Sequence, residues 1–91
     1  MTRGVGLLGR AGLGEGEGLL ITKTSLITML FMRFAIDAVF VDRDLRVVKV
    51  SPDLPPWLPA TGAARADAVL ELPSGTAART GTQAGDVLRL V

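Results

Sequence analysis

A chain of 91 residues has room for one domain, which we expect to span residues 1–91. Ten basic and nine acidic residues leave a net charge of +1, and so balanced a charge argues against a general nucleic-acid binder. Cysteine and histidine are absent, which excludes disulfides and thiolate metal sites and removes the commonest general base; we expect no metal and no cofactor.

The N-terminal part of the chain is rich in glycine. Residues 3–9 predict a short helix, which Gly4 and Gly6 weaken, and residues 10–18 predict a loop. The string from Gly4 to Gly9 matches the G-x-G-x-x-G pattern of dinucleotide-binding folds. Only three residues precede it, too few for the strand that such a site requires. A glycine-rich entry segment is therefore the better interpretation.

Three short apolar runs in the first half of the chain predict strands. They are residues 19–22, 27–31 and 36–41. In the third of them, alternate side chains point to opposite faces of a sheet. The two sets are Ile36, Ala38 and Phe40, and Asp37, Val39 and Val41. A hairpin turn at 42–45 and a returning strand at 46–51 follow.

The second half begins with the segment SPDLPPWLPATG, residues 51–62. Its four prolines exclude an internal strand or a helix and predict an irregular crossing loop. Four further elements are predicted after it. They are a strand at 66–72, a short helix capped by Ser74 that runs to about Thr80 and stops at Gly81, a turn at 83–86 and a strand at 87–91.

About six short strands and one or two short helices, without a βαβ alternation, predict a mainly β fold. We expect a small antiparallel barrel or sandwich. A membrane span over residues 25–41 would place Arg33 and Asp37 near the bilayer centre at about +2.5 to +3.5 kcal/mol each. The β-branched residues that follow favour a soluble β domain, and without an apolar signal region we expect a cytoplasmic protein.

Arg33, Asp37 and Trp57 are the candidate ligand-binding residues. Arg33 and Asp37 are charges in the most apolar part of the chain, and such charges need a partner or a function. Arg33 could pair with an acid such as Glu71 or Asp67 and fix the strand order, or it could line a shallow anion site with Trp57 nearby. Trp57, the only tryptophan, could be a lid over the core or a platform on which a ligand stacks.

Several separated motifs resemble the bacterial and archaeal family catalogued as domain of unknown function 192. The strings that carry the resemblance are GLLGRAGL, EGLLI, FMRFAIDAVFVDRDLRVVKV, PPW and AVLELPSGTAARTGTQAGDVLRL. They run in order from about Arg3 to Val91, nearly the whole chain. The resemblance implies a small β-rich fold and no established biochemical activity.

The departures from the family pattern are informative. One branch reads Cys-x-Ser-Ile-His-Thr-x-Phe-Met-Arg-Phe-Pro-Ile-Asp here, and this chain keeps only Arg33 and Asp37 of the candidate polar site. The replacements are Thr24, Leu26, Thr28, Met29 and Ala35. Where the family turn offers Asp-Gly, this chain has Asp44-Leu45, and a positive φ at Leu45 would cost about 1 kcal/mol. Relatives usually begin with further strands, so we expect an open sheet edge that could pair with another copy.

These observations predict a non-enzymatic module that binds a small ligand or a protein partner, and a homodimer through an open sheet edge is a further possibility. The alternative is an enzyme of unknown reaction class that uses Arg33 with a nearby carboxylate. A polar cleft that contains Arg33, Asp37 and a second acid would favour the enzyme. Scattered charges on a filled core would argue against it.

Overall fold

The computed structural model describes residues 2–5, 7–8, 18–30 and 32–90. Within these ranges the chain forms nine strands and one short helix. In chain order they are β1 (Thr2–Val5), β2 (Leu7–Leu8), β3 (Gly18–Thr22), β4 (Leu26–Ile27), β5 (Ile36–Val41), β6 (Val47–Leu54), β7 (Thr61–Gly62), β8 (Ala68–Pro73), α1 (Thr76–Thr80) and β9 (Arg89–Leu90).

The main sheet has five strands in the order β1-β3-β8-β5-β6, and every pairing in it is antiparallel. Two small antiparallel sheets, β2-β9 and β4-β7, accompany it. The mainly β prediction is confirmed. Because β1 and β6 end the strand order, the described strands form a small sandwich-like arrangement rather than a closed barrel.

Strand β5 lies inside the main sheet, between β8 and β6, and its bounds match the prediction. All six of its residues are buried. The predicted alternation is also observed. Ile36, Ala38 and Phe40 belong to one core cluster, while Val39 and Val41 belong to another. A strand covered on both faces explains why this stretch is the most apolar part of the chain.

The two core clusters lie on opposite faces of the main sheet. The first contains Val39, Val41, Val47 and Leu70 among its members. The second contains Phe40 and Val69 from the sheet, and side chains from two long connections cover it. We call these connections, residues 23–30 and 32–35 together with 55–67, the loop layer. Its inward side chains are Ile27, Met29, Met32, Leu58, Ala63 and Ala66.

The N-terminal helix prediction is wrong, because residues 2–5 and 7–8 are strands. Glycine makes the local helix preference weak, and the backbone pairing of β1 with β3 decides the conformation. Gly4 lies within β1, paired with Leu19, and a residue inside a strand does not form the turn that a dinucleotide-binding motif requires. The predicted loop at 10–18 falls outside the described residues except for Gly18, which begins β3.

Several predicted strand bounds are also corrected. The strand predicted at 27–31 is only Leu26–Ile27, and Phe31 lies outside the described residues. Strand β6 runs to Leu54, into the segment predicted to be irregular, and β7 forms later in that segment. Pro52 is tolerated because β6 is an edge strand with an irregular register at this point. Strand β8 starts at Ala68, and β9 is limited to Arg89–Leu90.

The turn between β5 and β6 confirms the conditional prediction for Leu45. The Leu45 N–H donates to the Asp42 carbonyl over 3.0 Å, and Leu45 has a φ of 63°. The Asp42 side chain accepts the N–H groups of Asp44, over 2.8 Å, and Arg46, over 3.0 Å. This is the left-handed position that glycine usually occupies in such a hairpin, so leucine is strained there by about 1 kcal/mol.

Within the described ranges, no helix has the length and apolar character needed to cross a membrane.

Candidate functional site

Asp37 is completely buried at the centre of a hydrogen-bond network. Its Oδ1 accepts the backbone N–H of Asp53 over 2.8 Å and that of Gly75 over 3.3 Å. Its Oδ2 accepts the backbone N–H of Ala77 over 2.8 Å. The side chain has no exposed surface, so one carboxylate satisfies three otherwise unpaired donors from two distant segments.

The donor on β6 is available because the strand bulges opposite Asp37. Ile36 pairs with Leu54 and Ala38 pairs with Ser51, which leaves Pro52 and Asp53 opposite a single residue of β5. Asp53 has a φ of 51°, and its N–H points at the carboxylate instead of at a strand partner. The bulge and the buried acid therefore form one structural unit.

The other two donors are at the start of α1, where the predicted cap by Ser74 is wrong. The N-cap residue is Gly75 with a φ of 93°, and it makes no side-chain capping bond. The Ser74 hydroxyl donates to Oδ1 of Asp53 over 2.6 Å instead. Asp37, which lies on β5, accepts the N–H groups of Gly75 and Ala77 at the start of α1. The stop at Gly81 is confirmed, with a φ of 69°.

Arg33 lies on the loop layer, exposed to solvent, in the segment that leads into β5. It makes no ion pair with Glu71 or Asp67, both of which the structure describes, so the expected strand-ordering pair does not form. Glu71 is half-buried in β8, and this burial raises the pKa of its carboxyl above the ordinary value. Arg33 therefore has its guanidinium available to an outside group.

Backbone hydrogen bonds at Met29 join the two halves of the loop layer. The Met29 N–H donates to the Leu58 carbonyl over 3.0 Å, and the Met29 carbonyl accepts the N–H of Trp57 over 2.8 Å. The same carbonyl accepts the N–H of Met32 over 3.0 Å, next to Arg33. Arg33 and Trp57 consequently belong to one layer, anchored on a methionine that is 1% exposed.

Four of the five large apolar side chains that the described residues expose lie on this layer. They are Leu26, Leu30, Phe34 and Trp57, and their exposed fractions are 59%, 40%, 63% and 58%. We call these four residues together with Arg33 the loop surface. The fifth, Val87, forms a β-bridge with Arg46 just before β6. The loop layer begins after Leu54 at the other end of this strand, about 25 Å away. Most of the large apolar side chains that the described residues expose therefore belong to one layer.

Trp57 is held in an unusual backbone conformation. Its φ is 68°, in a region that bulky side chains rarely adopt, and the strain costs on the order of 1–2 kcal/mol. The Trp57 residue is 58% exposed, so much of it is available to an outside group. Strain at an exposed aromatic residue is a recurrent sign of a functional position.

The loop layer also carries the positive charge of the molecule. It contains Lys23, Arg33 and Arg65 against the single acid Asp67, which leaves seven basic and eight acidic residues to the rest of the chain. Lys49 reaches the layer from β6, where its Nζ donates to the Gly62 carbonyl over 2.8 Å. The loop layer thus has an excess of basic residues, whereas the rest of the chain has one more acid than base.

Of the three predicted site residues, the structure brings Arg33 and Trp57 into one layer and separates them from Asp37. The Asp37 side chain alternates with those of Ile36 and Ala38, which face the loop layer, and so it points to the other face. A ligand cannot contact Asp37 unless the bulge or α1 opens. Among the described residues, no three acidic side chains cluster as a metal site.

The positions that are polar in relatives form local contacts here. The Thr24 hydroxyl donates to the Leu26 carbonyl over 2.9 Å, and Oγ1 of Thr28 accepts the N–H of Leu30 over 3.2 Å. Met29 is part of the core. The sequence prediction missed Leu30 and Phe34, because an apolar run gives no sign of which side chains stay exposed.

Comparisons with known proteins give a family but no activity. The model of the family DUF192, described as Uncharacterized ACR, matches residues 1–90. A solved structure of a protein of unknown function from Novosphingobium aromaticivorans superposes with a TM-score of 0.73 at 31% sequence identity. The match covers 92% of this chain and 64% of the other, so this chain spans less than two thirds of that protein. No curated protein matches this chain.

Proposed function

Because this chain belongs to the DUF192 family, which is described as uncharacterised, we propose its function from its own geometry. It is a non-enzymatic binding module, and its partner contacts the loop surface. The observation that carries this proposal is the exposure of four large apolar side chains on the layer that also holds Arg33, an arginine without an ion pair among the described residues. Trp and Arg are the residues that most often dominate binding energy at interfaces.

The chemistry of the loop surface specifies the kind of partner. Phe34 and Trp57 present large apolar faces, which gain free energy when a partner removes them from water. The Arg33 guanidinium offers a planar set of donors that matches a carboxylate, a sulfonate or a phosphate. A partner that combines an apolar group with an anionic group therefore fits this surface.

The enzyme alternative requires Arg33 to converge with a carboxylate. Asp37 faces the opposite side of the sheet, where three backbone donors occupy its oxygens. Glu71 makes no ion pair with Arg33. The charges are scattered over a filled core, the arrangement that favours a binding module.

A fluorescence titration tests the binding module. Anilinonaphthalene sulfonate combines an aromatic group with an anion, and Trp57 is the only tryptophan, so energy transfer from Trp57 reports binding nearby. We expect saturable transfer in the natural chain. The double variant Leu30→Ser/Phe34→Ser should abolish it, and Arg33→Gln should weaken binding about tenfold, as for loss of a charged hydrogen bond.

Two matched variants serve as controls for this titration. Val87→Ser removes an apolar side chain that is about as exposed as those of the loop surface and lies beside the far end of β6. Arg43→Gln removes an exposed cation in the hairpin turn. Both should bind the probe as the natural chain does. The proposal fails if the loop-surface variants bind normally, or if the controls weaken binding equally.

Self-assembly through β1 is a second candidate, favoured by the sheet order. Strand β1 ends the sheet, so one of its sides carries no hydrogen-bonded strand among the described residues. An antiparallel pairing of two β1 strands would join two sheets about a two-fold axis. Light scattering at high protein concentration should then give twice the mass of the chain, and a single chain mass would reject this candidate.

A further inference from the structure

We propose that the partner of the loop surface is the surface of an anionic lipid bilayer. The inference rests on the proposed binding function and names the class of partner. It follows from three properties of the loop layer: the exposure of its apolar side chains, their chemical types, and the charge of the face that carries them.

The apolar side chains of the loop surface are largely exposed to solvent. Phe34, Trp57 and Leu26 each expose more than half of their surface. A tight small-molecule site usually buries most of its ligand in a concave pocket, whereas largely exposed side chains are suited to insert into a partner. A bilayer interface receives exposed side chains at any point and needs no pocket of matching shape.

The side-chain types match the bilayer interface. Tryptophan is enriched at the level of the lipid headgroups, because its ring is apolar and its N–H is polar. Phenylalanine and leucine insert toward the acyl chains in peripheral proteins that lie in the interface. Trp57, Phe34 and Leu30 supply these three types from two adjacent loops.

The excess of basic residues on the loop layer favours anionic lipids over neutral ones. Lys23, Arg33 and Arg65 outnumber Asp67 on the loop layer, and Lys49 adds a fourth cation at its edge. Each cation near an anionic membrane strengthens binding about fivefold.

A second copy of this chain fits the same surface poorly. A two-fold contact would place the basic loop layer of one molecule against the basic loop layer of the other. Like charges that meet in an interface repel each other and oppose association. A negatively charged surface instead attracts the basic loop layer.

Vesicle co-sedimentation tests the proposal. The full chain should bind vesicles of phosphatidylcholine and phosphatidylglycerol, with a blue shift of Trp57 emission, and should bind phosphatidylcholine alone at least tenfold more weakly. Binding should fall in 1 M salt, where the screening length shortens to about 3 Å. Arg33→Gln should bind about fivefold more weakly, and Phe34→Ser on the order of tenfold.

Arg43→Gln and Val87→Ser are the matched controls and should bind vesicles as the natural chain does, while circular dichroism verifies that every variant folds. Equal binding to both kinds of vesicle, or an equal loss in Arg43→Gln and Arg33→Gln, overturns the bilayer proposal. If the sulfonate probe binds but vesicles do not, the binding module stands and its partner is an acidic protein or peptide. If neither binds, the proposed function fails as well.

Discussion

Removing the Asp37 carboxylate should destabilise the fold more than any other change to a charged residue among the described ones. Asp37→Ala leaves the N–H groups of Asp53, Gly75 and Ala77 without an acceptor in a fully buried site. An unsatisfied buried donor costs about 1–3 kcal/mol, and relief of the buried charge offsets part of the total. We expect a loss of about 3–5 kcal/mol, a large share of the roughly 5–15 kcal/mol that stabilises a domain.

Urea unfolding followed by far-ultraviolet circular dichroism at pH 7 measures this loss. Trp57 emission is a poorer probe, since the residue is already 58% exposed in the native state. Asp44→Ala is the matched control, an exposed aspartate in the hairpin turn, and its effect should stay within about 0.5 kcal/mol. A loss below about 1 kcal/mol in Asp37→Ala would refute the view that this carboxylate joins β5, the β6 bulge and α1.

Three further changes test single features of the fold. At position 45, where φ is 63°, Leu45→Gly should be about 1 kcal/mol more stable than Leu45→Ala in urea unfolding, the reverse of the usual order. Burial raises the pKa of Glu71, so the native state holds this proton more tightly than the unfolded chain does. The contribution of Glu71 to stability should therefore fall as pH rises above 4.5, and Glu71→Gln should flatten this part of the stability–pH curve. Gly62→Ala should destabilise by roughly 2 kcal/mol, because the new methyl would lie 2.5 Å from the Ser25 carbonyl; thermal unfolding with no loss would contradict this close approach.

The sequence predicted the parts of the fold that local patterns determine. Strand β5 was correct because all its residues except Asp37 are apolar. The turn after it was correct because Asp42 and Asp44 are turn-forming residues. The strain at Leu45 also follows from the residue type in a known turn geometry.

Long-range contacts explain the errors. The start of α1 lacks a local cap because its acceptor, Asp37, lies 40 residues before Ala77 in the chain. Residues 2–5 became a strand through pairing with β3, against a weak local preference. Strand β6 continued through Pro52 because the residue lies on an edge strand and in a bulge.

The candidate site was predicted only in part, for the same reason. Arg33 and Trp57 were singled out as a charge in an apolar run and as a lone tryptophan among prolines. The hydrogen bonds to Met29 that bring their loops together join residues 28 and 29 positions apart, and no local pattern shows them. Phe34 has the sequence signature of a core residue, yet it is 63% exposed.

The central claim is that this chain acts through its loop surface, and a map of probe binding by NMR tests it most directly. Anilinonaphthalene sulfonate should shift the amide resonances of the loop layer, residues 23–30, 32–35 and 55–67, and leave those of α1 and the hairpin turn at 42–45 unchanged. Shifts centred on the Asp37 network or on β1, with the loop layer unaffected, would contradict the account.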